Sequence, residues 1–222
     1  MARHPTSFFG RLFAAGFGAV KAVRPDRPIH PQGVLLTGTL EISGGGSGIP
    51  FLDAASKEAV TARLSRSIGL PVQWPDIIGL AVRFPAEGRT ADVLLASTGW
   101  RVPGRFCLTM HRTAGAARLT SLMPYRGPRG PVILGARTRG ADPGAPGRIS
   151  PNADWHLELF WATPLGAWHR FGSLRLRPAL GPDGTIQDTS LRFDPLLSPL
   201  PTAGTYAWTR RLREHSYRRA RS

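Results

Sequence analysis

The chain has 222 residues, 41% of them hydrophobic, which is enough to bury a sizeable core, and no apolar run approaches the roughly 20 residues of a membrane-spanning helix. A formal charge of +15 ordinarily points to nucleic acid or an anionic surface, but it is nearly all arginine, since Lys21 and Lys57 are the only lysines. It is spread along the chain except at Arg210–Arg221, which argues against a specific nucleic-acid interface. Cys107 is the only cysteine, so no intrachain disulfide forms, and its neighbours Phe106 and Leu108 predict a buried thiol.

In chain order, the first expected element is an amphipathic helix within residues 1–24. Phe9, Phe13 and Phe17 recur every four residues, with Leu12 and Val20 near the same face, while Arg11 interrupts what would otherwise read as the apolar part of a signal peptide. The bland reading packs this helix on the protein body; the sharper one lays residues 8–20 on a membrane surface. Strand character follows at Val34–Ile42, and Gly44–Gly48 reads as a loop lacking the lysine of a phosphate-binding loop. Asp53–Ser67 reads as a helix capped by Asp53, with Leu64 and Ile68 four apart. Further strands are expected at Ile77–Phe84, Asp92–Ser97, Arg105–His111, Val132–Arg139, Trp155–Ala162, Trp168–Arg177 and Ser190–Phe193. Gly140–Gly147 separates two of these as a loop, and Thr163–Gly166 reads as the turn of a hairpin. In Ser173–Arg177 leucines and arginines alternate, the mark of an antiparallel sheet with one dry face. A basic C-terminal helix is expected within 202–222.

The 26 glycines and 21 prolines punctuate short strands rather than a helical bundle. The expected fold is therefore all-β dominated (α+β): one domain over 1–222, a closed antiparallel β-barrel of about eight strands with terminal helices. His111, His156 and His169 lack metal-ligand spacing. Trp155, Trp161 and Trp168 could stack a planar ligand, although aromatic residues on barrel strands are usually core.

Five segments taken in order carry a more specific signal. They are Arg27-Pro28-Ile29-His30-Pro31-Gln32-Gly33, then Arg63-Leu64-Ser65, then Pro75-Asp76-Ile77-Ile78-Gly79-Leu80-Ala81-Val82-Arg83-Phe84, then Asp92-Val93-Leu94-Leu95, and finally the Arg213, Tyr217 pair. Together they resemble the barrel core of haem-dependent catalases, over Pro25–Ser97 above all, whereas Trp100–Leu197 carries no aligned motif. The resemblance implies one b-type haem. His30 would be the distal acid/base, because an imidazole titrating near pH 6.5 can take a proton and return it. Ser65 would orient His30, Arg63 would pair with a haem propionate, Tyr217 would bind the iron, and Arg213 one helical turn before it would keep the phenolate ionised.

Two departures stand out. Ser97 occupies the place of the asparagine that the family sets beside the distal histidine, and the family's N-terminal arm, wrapping segment and C-terminal helical domain are expected to be missing. The expected activity is therefore slow reduction of peroxides with an organic reductant, in the cytoplasm, the oligomeric state being open. Two alternatives stay open: a non-catalytic relative that has lost haem chemistry and binds a hydrophobic ligand or a partner, and a basic nucleic-acid or membrane-surface binder using both termini.

Overall fold

A computed structural model describes residues 32–188 and 191–209. The expected helix over 1–24, His30, Arg213, Tyr217 and most of the expected C-terminal helix lie outside the described residues.

The strands are β1 (Gln32–Ile42), β2 (Ser56–Arg66), β3 (Ile78–Ala86), β4 (Arg89–Ser97), β5 (Arg118–Thr120), β6 (Tyr125–Gly127), β7 (Gly130–Thr138), β8 (Trp155–Ala162), β9 (His169–Pro178) and β10 (Gly204–Thr205). Eight of them close an antiparallel barrel in the order β1-β2-β3-β4-β5-β7-β8-β9, with β9 returning to pair with β1. β6 and β10 extend the far end of β7 as a short ribbon. The architecture is the expected closed barrel with few helices.

Alternation builds it. Val34, Leu36, Leu40 and Ile42 of β1 point inward, as do Val60, Ala62 and Leu64 of β2 and Ile78, Leu80, Val82 and Phe84 of β3. Trp155, Leu157, Leu174 and Leu176 fill the other side, so Trp155 is core. Inward side chains leave a cavity of only about 40 Å³ among Leu40, Phe84, Leu95, Leu134, Leu159 and Leu174. A ligand of drug size needs about 300–1,000 Å³. The barrel interior is a packed core, and the apolar ligand pocket that the resemblance led one to expect within the strands is filled by side chains.

One expected helix is a strand. Asp53–Ser67 divides into a single turn, α1 (Pro50–Asp53), and the eleven-residue β2. β2 pairs with β1 residue for residue from Ile42↔Ser56 to Gln32↔Arg66. That ladder and the inward burial of Val60, Ala62 and Leu64 override the local helix propensity of an Ala-, Glu- and Arg-containing segment. Asp53 caps nothing downstream. Its carboxylate accepts hydrogen bonds from the Ser47 and Gly48 amides at 2.7 and 2.8 Å, ordering the glycine loop before α1.

Three further expectations change. Arg105–His111 is a 3-10 turn over Gly104–Phe106 followed by isolated bridges, and Cys107 is exposed because Phe106 takes the buried position. Residues 191–193 lie along the barrel as irregular chain, with Arg83 Nη2 donating to the Arg192 carbonyl. Gly204–Thr205 pairs with β6, and helical turns begin only at 207. The hairpin between β8 and β9 forms as expected, around 163–168. No helix among the described residues is long and apolar enough to cross a membrane.

Candidate functional site on the outer face of β1–β4

Because side chains alternate across a strand, the residues beside the inward Val34, Leu64, Leu80 and Leu95 face out of the barrel. The register aligns Gly33, Ser65, Gly79 and Ala96 in one such outward row across β1–β4. None carries a side chain larger than a hydroxymethyl group. With strands about 4.8 Å apart, the row makes a flat shelf roughly 14 Å wide. The next outward row, Leu35, Arg63, Ala81 and Leu94, bounds it on one side. Ser65 is buried, and its hydroxyl donates to the Gly79 carbonyl at 3.4 Å.

Arg63 reaches over the β1 end of the shelf. Its Nε and Nη2 donate to the two carboxylate oxygens of Asp188 at 2.8 and 2.9 Å, a bidentate fork. The Gly33 amide adds a third hydrogen bond to Asp188 Oδ2 at 3.1 Å. The guanidinium lies so close to Gly33 that a Cβ there would fall 2.5 Å from Arg63 Cζ. Gly33→Ala is accordingly expected to dislodge the fork at a cost of ~1–3 kcal/mol. Chemical denaturation checks this, and an unchanged midpoint would contradict the close packing.

Asp188 was not legible in the sequence; it belongs to no motif and lies 125 residues from Arg63. It arrives through a small hairpin after β9, turned at Gly184 with φ +76° and bridged at Leu180↔Ile186. The hairpin is stitched to β1 by backbone bonds from Ala179 to the Leu35 carbonyl and from Leu35 to the Gln187 carbonyl.

Two rows below the shelf, Arg83 donates to both carboxylate oxygens of Asp92 at 2.7 Å each. These bonds raise the Arg83 pKa despite partial burial. Asp92 is fully buried and also accepts the Asp194 amide, so this pair fastens 192–194 against β3 and β4.

Of the expected site residues within the described regions, Arg63 and Ser65 share the outer face of β2, on a strand rather than a helix. Ser97 does not join them. It has the inward parity of Leu95, and its hydroxyl accepts from the Ile78 amide at 3.0 Å and donates to the Thr109 carbonyl at 2.6 Å. Ala96 stands beside Gly79 in its place and offers no donor. Trp161 and Trp168 are engaged elsewhere, Trp161 Nε1 donating to the Gly45 carbonyl and Trp168 stacking on Trp100. Among the described residues no cluster of His, Cys, Asp or Glu could hold a metal ion.

A flat, carboxylate-bearing group such as haem fits these residues on two observations: the shelf is bare, and Asp188 already shows the Arg63 fork and Gly33 amide gripping a carboxylate. It fits on the outer face, not in the core.

No family model and no curated protein matches the sequence. Solved structures do match. The fold is similar to catalase A from Saccharomyces cerevisiae, with a TM-score of 0.58 at 12% identity over 82% of this chain and 57% of that one. It is also similar to a fungal catalase, with a TM-score of 0.53 at 13% identity over 86% of this chain and 57% of that one. At such identities the likeness shows the fold: this is a catalase-like barrel. The chain spans 57% of the length of each of these two catalases.

Proposed function

We propose that this catalase-like barrel holds one b-type haem on the outer face of β1–β4 and reduces peroxides slowly with an organic reductant. The observation that carries the reading is the bare shelf of Gly33, Ser65, Gly79 and Ala96 with a carboxylate-gripping Arg63 at its edge. Bound there, haem would supply an iron centre that peroxide can oxidise.

The chain's own residues would do the rest. Arg63 anchors a propionate through its fork, fixing the group's orientation on the shelf. Ser65 orients the His30 imidazole, which takes a proton from the peroxide and returns it to the departing oxygen. Tyr217 serves as the iron ligand, and Arg213 holds it as phenolate. Ala96 places no hydrogen-bond donor beside Ser65, which suits slow peroxidatic turnover rather than rapid dismutation.

Hemin added to the purified protein tests this. A tyrosinate-type visible spectrum that vanishes in Tyr217→Phe is expected. Peroxide-dependent dye oxidation should fall about 10²–10⁴-fold in His30→Ala. A protein that stays colourless turns the conclusion to the second reading, a non-catalytic relative that binds a hydrophobic ligand or a partner on the same shelf. That reading draws support from Ala96 and from the carboxylate already seated on Arg63.

A further inference from the structure

The carboxylate on Arg63 comes from the chain itself, and this has a consequence for how the shelf would load. We infer that Asp188 is a built-in competitor: it holds the Arg63 fork across Gly33 until a ligand carboxylate takes its place, and so sets the affinity of the shelf for flat, carboxylate-bearing ligands. The inference rests on the haem reading above and deepens it.

Three observations carry it. First, Asp188 occupies the fork in the bidentate geometry a ligand carboxylate would use, with the Gly33 amide as a third donor. Second, the pair covers part of the shelf, because the guanidinium rests where a Gly33 side chain would be. Third, the pair is not what attaches the hairpin. Backbone bonds between Leu35, Ala179 and Gln187 already do that, so Asp188 can let go without the hairpin leaving. The two side chains also differ in setting: that of Asp188 is 40% exposed against 16% for Arg63. A released Asp188 returns to water cheaply, whereas Arg63 needs a replacement partner.

The exchange balances. Arg63 gives up two charge-assisted hydrogen bonds to Asp188 and makes two to the incoming carboxylate, and the Gly33 amide changes acceptor. No covalent bond breaks and no proton moves. In the native chain the ligand carboxylate therefore gains little, because what it makes it must first displace. With Asp188 neutralised, the same carboxylate gains the fork outright.

The test is a Soret-band titration of the full chain with hemin and, separately, with hemin dimethyl ester, which has no free carboxylates. Asp188→Asn should bind hemin about tenfold more tightly than the native chain, a gain of the size expected for hydrogen bonds to a charged group. The ester should show no such gain, and Asp188→Glu, which keeps the carboxylate, should stay close to the native affinity. Equal hemin affinities in Asp188→Asn and the native chain would overturn the competitor role while the haem reading stands. Absence of hemin binding in every protein would overturn both. A second measurement needs no substitution to fold. The Asp188 carboxylate carbon resonance of the native chain should shift on adding diamagnetic gallium protoporphyrin and stay in place on adding its dimethyl ester. A resonance unmoved by the acid form overturns the proposal.

Discussion

Asp76→Ala is expected to destabilise the fold by about 3–5 kcal/mol, the range for removing one partner of a buried ion pair. Asp76 is fully buried, and its carboxylate accepts the amides of Ile68, Gly69, Leu70 and Ile77 at 2.7 to 3.0 Å. Beside it, Arg66 is equally buried, with Nε 3.6 Å from Asp76 Oδ2. Arg66 Nη2 donates to the carbonyls of Leu70, Pro71 and Trp74, so the two side chains together organise the whole β2–β3 connection. Removing the carboxylate strands four amides and leaves a guanidinium with no counter-charge in the interior. The urea midpoint should move accordingly. Adding Arg66→Met to Asp76→Ala should recover part of the loss, since the orphaned charge goes with it. A single variant of near-native stability, or a double variant that is simply additive, would refute this account.

Gly38→Val should be almost as damaging. A Cβ at Gly38 would lie 1.8 Å from the Arg175 carbonyl oxygen and 3.0 Å from Leu176 Cα, both backbone atoms of β9 that cannot swing aside. Gly172, four residue pairs along the same seam, is equally tight, its Cβ falling 2.3 Å from the Glu41 carbonyl oxygen. Glycine at such points lets a barrel turn a corner where two strands come unusually close. The expected cost is about 3 kcal/mol or more, at the upper end of overpacking effects. Gly104→Ala is the control: its Cβ would meet only Gly99 Cα at 3.5 Å, an ordinary contact, so its effect should stay within about 0.5 kcal/mol. Similar losses at 38 and 104 would show that space at the β1–β9 seam is not the cause.

The strands legible in the sequence were those whose two faces differ in polarity. Trp155–Ala162 matches β8 to the residue, and Trp168–Arg177 matches β9 to within one, because buried Leu174 and Leu176 alternate with exposed Arg175 and Arg177. β2 was read as a helix because Ala, Glu, Lys and Arg suit either state, and what decides between them is β1, a partner in the earlier part of the chain. β5 and β6, at three residues each, are too short to show a period. The same limits applied to the site. The likeness to catalases picked out Arg63 and Ser65, but parity, which separates Ser97 from Ala96, becomes visible only once the strand is placed against its neighbours. Asp188 reaches Arg63 only through the barrel's closure.

That closure has a consequence for how the chain is made. β1 through β4 pair as they emerge, each with its predecessor, whereas the other side of β1 waits for β9, some 130 residues further along. Until residue 178 leaves the ribosome, the nascent sheet carries two raw borders, one on β1 and one on its newest strand, each able to recruit a stranger. Such distant pairing is slow to find. The growing polypeptide is thus most vulnerable to clumping during synthesis of its second half, and a trigger-factor-like holdase acting in that window should raise the yield of soluble product.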